Sequence, residues 1–109
     1  MEGQPDGTDL DGAVQAVTRL RALAHPVRLG IMRRLAVRPE TCACDFTKVF
    51  AVSQPTISQH LKVLRDAGLV RTRRRGTQIC YSVCPEALEQ VTILLAGLRP
   101  DLAEAVPAS

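Results

Sequence analysis

Aromatic side chains are scarce in this sequence: they make up 3% of its 109 residues, as two Phe and one Tyr with no Trp. That excludes rows of exposed rings on which single-stranded bases stack. No run approaches the roughly 20 apolar residues needed to span a bilayer. The N-terminus, from Met1 to Asp9, is acidic and polar, unlike a secretory leader. Enzyme signatures are missing too: there is no Cys-x-x-Cys, no Ser/His/Asp set, no glycine-rich phosphate loop and no concentration of carboxylates with His. The two His, His25 and His60, each lack a second His at i+3 or i+4, which weakens any imidazole-built zinc or nickel centre. These absences argue against an enzyme and for a cytoplasmic protein. Its four Cys are then expected as thiols or metal ligands rather than structural disulfides.

What remains is a balanced globular composition, 46% hydrophobic and 23% charged, of a length that suits one domain. The net charge of +3 is unevenly spread. Residues 1–12 hold Glu2, Asp6, Asp9 and Asp11 with no base, a local −4, whereas Lys62, Arg65, Arg71, Arg73, Arg74 and Arg75 face only Asp66 within 53–78, a local +5. Such a basic segment is either a solvated face or a polyanion contact, and charge alone does not decide between them.

Residues 1–11, rich in Gly, Pro and Asp, are expected to lack fixed structure. Ala13, Val17, Leu20 and Ala24 then recur at helical spacing. His25-Pro26 interrupts, since the residue before proline leaves the helical region while proline suits a new first turn. A second helix is expected from Pro26 to Ala36, burying Val27, Ile31 and Leu35, and a short one around Asp45–Phe50. Ser53 reads as an N-cap with Pro55 in the first turn, and Ile57, Leu61 and Leu64 form one apolar stripe. Gln54, Thr56, Ser58, Gln59 and Lys62 occupy the other sides, and Ala67-Gly68 ends the helix. Strands follow at Leu69–Arg74 and Thr77–Val83, the second alternating with Ile79, Tyr81 and Val83 on one face and Cys80 and Ser82 on the other. A last helix spans Pro85 to Leu98, and residues 100–109 form a loose tail.

This order predicts a mainly α fold with a β-hairpin wing, a winged helix-turn-helix over residues 12–99. A capped helix with small polar residues on its open side fits the major groove of duplex DNA, where Gln54 and Gln59 can pair bidentately with adenine. The hairpin tip Arg73-Arg74-Arg75-Gly76 can reach phosphates or the neighbouring minor groove. His60 is expected in a structural or phosphate-contacting role, and His25 in capping or packing.

Three stretches resemble the ArsR/SmtB regulators: Leu23-Ala-His-Pro-Val-Arg-Leu-Gly-Ile, the run from Val52-Ser-Gln-Pro-Thr-Ile-Ser-Gln-His-Leu to Ala67-Gly-Leu-Val, and Arg75-Gly-Thr-Gln-Ile-Cys-Tyr-Ser-Val. The likeness covers roughly residues 15–98. It implies a homodimeric repressor, joined through its first and last helices, that leaves its operator when a metal ion or other effector binds. It also implies that Ser53, Gln54, Thr56, Ser58 and Gln59 lie on the DNA-reading helix. The apolar stripes of the first and last helices support dimerisation on their own, since a monomer would cover them poorly. A two-fold dimer would read an inverted repeat with half-sites about 10–11 base pairs apart or a near multiple.

Thr41-Cys42-Ala43-Cys44-Asp45 is the sharpest chemical feature. Two thiols one residue apart do not readily close on each other but can turn toward one soft ion, and a helix N-terminus favours their thiolates. The element resembles the Cys-x-Cys-Asp of arsenic- and antimony-sensing members, in which a third Cys follows where this sequence has Thr47. The last helix has no His for the family's other common site. If the segment before the third helix pairs with the second wing strand, Cys84, or less readily Cys80, could supply the third thiol. The expected site is Cys42, Cys44 and Cys84 around an ion such as arsenite, cadmium, zinc, copper or nickel. The alternatives are half-buried packing cysteines, or a regulator of the same fold that is redox-responsive or partner-dependent and binds no metal.

Overall fold

A computed structural model describes residues 7–103, with side chains from 12 to 101. The elements run α1 (Gly7–Leu23), α2 (Pro26–Val37), β1 (Thr41–Cys42), α3 (Ala43–Val49), α4 (Gln54–Asp66), β2 (Val70–Arg75), β3 (Gln78–Val83), α5 (Pro85–Ala96) and a four-residue α6 (Pro100–Ala103). This is the winged helix-turn-helix order that the sequence predicts.

Each break follows from local chemistry. His25 is extended and its Nδ1 accepts a hydrogen bond from the Val27 amide at 3.1 Å, so it caps α2 while Pro26 fills the first turn. Ser53 does the same for α4, its hydroxyl accepting from the Thr56 amide at 3.4 Å. Gly68, at φ +78°, turns the chain from α4 into β2, and Gly76, at φ +62°, closes the wing, both in a region that side chains disfavour. The sheet is antiparallel in the order β1-β3-β2, with Thr41 opposite Tyr81 and Cys42 opposite Cys80.

Two expectations are corrected, and β3 adds a detail of burial. Helix α1 starts at Gly7, so residues 7–11 are helical rather than unstructured; no proline stands between Pro5 and Pro26 to interrupt it. Residues 1–6 lie outside the described residues. The presumed loose tail carries a helical turn at Pro100–Ala103, opened by a proline that suits a first turn, while 104–109 are also outside the description. In β3 the most buried residue is Cys80, at 1% exposure, and Tyr81 and Val83 are only half-buried, because β1 lies alongside and covers the cysteine.

The core is built from side chains of no exposure: Ile31 of α2, Phe46 of α3, the stripe Ile57, Leu61 and Leu64 of α4, and Leu69. Among the described residues no helix is long and apolar enough to cross a membrane. Removing a fully buried leucine leaves a cavity that rigid neighbours cannot refill. Leu61→Ala is therefore expected to lower unfolding free energy by about 2–5 kcal/mol, as read from denaturant melts. A loss under about 1 kcal/mol would show that α4 is not seated in the core.

Candidate nucleic-acid interface and thiol cluster

The stripe of α4 that points inward decides what points outward. With Ile57, Leu61 and Leu64 buried, Gln54, Thr56, Ser58, Gln59 and Lys62 are all exposed. Ser53 is exposed as well, but its hydroxyl is occupied, capping Thr56 and lying 3.0 Å from the Thr56 hydroxyl. Lys62 donates to Asp66 Oδ2 at 2.8 Å, which holds the Asp66 carboxyl below its usual range. The unencumbered groups on this face are thus the amides Gln54 and Gln59 and the hydroxyl of Ser58.

A cleft of about 340 Å³ separates α4 from the wing, lined by Gln54 and Ser58 on one side and by Thr77, Gln78, Ile79 and Tyr81 on the other, with Cys44 at its edge. Arg74 stands opposite Ile79 in the ladder, so it shares the sheet face that looks into this cleft. It has no ion-pair partner among the described residues, unlike its neighbours. Arg75 Nη1 donates to Glu40 Oε1 at 2.7 Å, Arg73 Nη1 lies 3.9 Å from Glu40 Oε2, and Arg71 pairs with Glu86 at 2.7 Å. The expected tip of three equivalent arginines therefore divides into one open and two engaged.

His60 does not join the open face. It is half-buried, with Arg28 Nη1 3.2 Å from its Nδ1 and the His25 ring centroid 4.4 Å from its own. A guanidinium can only donate, so His60 Nδ1 accepts and the ring proton sits on Nε2. Arg28 also donates to the carbonyls of Ala22 at 2.7 Å and Arg21 at 3.3 Å. This arginine, which sequence reasoning did not single out, joins the C-terminus of α1 to α4. A motif with His25-Pro26 two residues before it was the only local hint.

The thiols are arranged differently from expectation. Strand β1 does pair with β3, but the partner it brings to Cys42 is Cys80, and the two form a disulfide across a sequence separation of 38. Cys84 lies beyond the end of β3 at the start of α5, where its thiol donates to Glu86 at 3.3 Å. Cys44 is free and exposed. The Cys42, Cys44 and Cys84 set is thus corrected: the Cys42 sulfur is spent, and no group of three His, Cys, Asp or Glu that could hold a metal occurs among the described residues. The residues as found do not fit a three-thiolate ion site.

The sequence profile for "Bacterial regulatory protein, arsR family" matches residues 25–72, which span α2 through the start of the wing. The HTH-type transcriptional regulator YgaV of Escherichia coli is 37% identical over 86 residues, covering 79% of this chain and 87% of that protein. This chain belongs to the ArsR family. An arsenical resistance operon repressor of Bacillus subtilis is 43% identical over 68 residues, 62% of this chain and 65% of its own length. A crystal structure of an ArsR family transcriptional regulator superposes with a TM-score of 0.73 at 26% identity, covering 87% of this chain and 96% of that one. The ArsR family consists of transcriptional regulators rather than enzymes.

Burial, then the charges of His25 and Arg28, hold the His60 pKa below 6.5. A histidine harder to protonate when folded makes the unfolded chain bind more protons, so stability falls as pH drops from about 6.5 through the folded value. Melting temperature is expected to decline across pH 7–5.5, and His60→Gln to flatten that slope. The lowered carboxyls of Asp66 and Glu86 act below about pH 4.5 and do not confuse the window. An unchanged slope in the variant would remove His60 as its source.

Proposed function

We propose that the chain is a sequence-specific, duplex-DNA-binding transcriptional repressor that works as a homodimer on an inverted-repeat operator. The observation that carries this is the one-sided burial of α4, which leaves Gln54, Ser58 and Gln59 unengaged beside the open Arg74. In this reading the amides choose bases and the wing supplies salt-dependent phosphate contact. The outward apolar side chains of α1 and α5 support the dimer: Val14, Ile93 and Leu95 are 63%, 51% and 46% exposed.

The effector acts through the thiols. The disulfide favours the redox reading: Cys42 and Cys80 each give up a proton and an electron to a hydroperoxide, the S–S bond forms, and the peroxide leaves as water and the corresponding alcohol, or as two waters from hydrogen peroxide. The bond ties the entry to α3 to the wing, so its state changes how the two DNA-contacting parts move together. Release by a metal or metalloid ion is the second reading, supported by relatives named for arsenical resistance and requiring the chain to be reduced.

Affinity for DNA upstream of the protein's own gene, measured by anisotropy, is expected to differ about 5- to 150-fold between reduced and peroxide-treated protein, and not in Cys80→Ser. Release of reduced protein by arsenite, with no response to peroxide, would favour the ion instead. On the reduced protein, Gln59→Ala is expected to cost roughly 1–3 kcal/mol at the cognate site and relax base preference. Arg74→Ala should weaken binding to every sequence and flatten the salt slope by about one unit. If both variants act alike on random and cognate DNA, this docking is wrong.

A further inference from the structure

The wing's arginines alternate: Arg71, Arg73 and Arg75 share one face of β2, and Arg74 lies on the other. Glu40, just before β1, engages two of that three with both oxygens, Arg75 at 2.7 Å and Arg73 at 3.9 Å. The carboxylate side chain is 26% exposed, against 60% for Arg75 and 71% for Arg73, so the acid is the sheltered partner and the bases are the solvent-facing ones. Its backbone is anchored too. The next two residues are paired with β3, and Cys42 is bonded to Cys80, which stands opposite Arg73. Arg34, Arg38, Asp45 and Lys48 line the same recess, but none of them lies within ion-pair distance of Glu40 among the described residues.

We propose that Glu40 stands in for a DNA phosphate: it holds Arg75 and Arg73 and so sets how many phosphates the wing neutralises. The inference rests on the DNA-binding reading above and specifies which residue limits the wing's share of affinity. An arginine that leaves Glu40 for a phosphate exchanges one anion for another and strands a carboxylate beside a polyanion. The triad of two arginines and one glutamate thus neutralises one phosphate instead of two, whereas the unpaired Arg74 contributes its whole charge. Because each neutralised phosphate contributes about 0.9 to the slope of log K against log salt, the charge removed by Glu40 is directly readable. Glu40 is a positioning residue, since it touches the contacting side chains and not the DNA.

The test is a salt series of anisotropy titrations with a random-sequence 30-base-pair duplex, using the full chain in its disulfide-bonded and in its reduced form. Glu40→Gln is expected to tighten binding about 3- to 10-fold at low salt and to steepen the slope by about one unit. Adding Arg75→Ala to Glu40→Gln should cancel most of that gain, and Glu40→Asp should stay near wild type. Unchanged or weaker binding by a Glu40→Gln protein that melts normally would overturn the inference. Should that variant misfold, the native background decides: Arg73→Ala and Arg75→Ala combined are expected to flatten the slope by about one unit, as much as Arg74→Ala alone, and a loss of about two units would overturn it. Wild-type protein that binds no duplex at low salt, whether disulfide-bonded or reduced, would overturn the DNA-binding reading itself, a result distinct from either.

Discussion

A thirteen-residue helix is marginal by itself in water, so α4 exists because the core holds it. The hold comes from Ile57, Leu61 and Leu64, each without exposure and each worth roughly 1.5–3 kcal/mol of burial. Rolling the helix by a third of a turn would expose this stripe and push Lys62 or, in the other sense, Thr56 into apolar surroundings. The orientation of the polar face is therefore a consequence of packing, and no outward-facing residue has to enforce it. The caps at Ser53 and Gly68 fix where that face begins and ends. Arg28, His25 and His60 brace the same helix from behind, at its joint with α1 and α2.

The charge pattern shows why composition is a poor guide to electrostatic function. Summed along the sequence, 53–78 carries +5, but Lys62 is paired with Asp66, Arg71 with Glu86, and Arg75 with Glu40. Two of these acids come from outside the segment, 15 and 35 residues away from their partners. Exposed pairs of this kind contribute about 0–1 kcal/mol each, too little to lock a side chain. They suffice to set which arginine stands open and which must first leave a carboxylate.

The same contrast between local and distant signals explains how much of the molecule was legible in its sequence. Helices α2 and α4 could be read closely because their stripes, prolines and caps are written within a dozen residues. The pairing of β1 with β3 was legible from the fold type, and the open amides of α4 followed from its periodicity. Register was not. Whether Cys80 or Cys84 meets Cys42 depends on the ladder, and in an antiparallel pair the residue directly opposite is fixed by pairing that no local pattern encodes. The inward turn of His60 depends on Arg28, thirty-two residues earlier, and so lay equally out of reach.

Thr41 and Cys42 form only two residues of strand, yet they connect the parts that would meet DNA. Cys42 is the last residue before α3, with no linker between, and its sulfur is shared with the wing. Glu40, one residue before the strand, holds the wing by charge where Cys42 holds it by covalent bond. A bond closing a separation of 38 residues removes about 4 kcal/mol of freedom from the open chain, far more than the ion pairs supply. The two links therefore have different roles. The disulfide determines whether β1 and the wing remain together when the surrounding contacts loosen. The ion pairs, being weak, determine only which charges the assembled wing presents. Breaking the covalent link would leave Glu40 with a weaker claim on the arginines, so thiol chemistry at Cys42 and the wing's charge are coupled through one short strand.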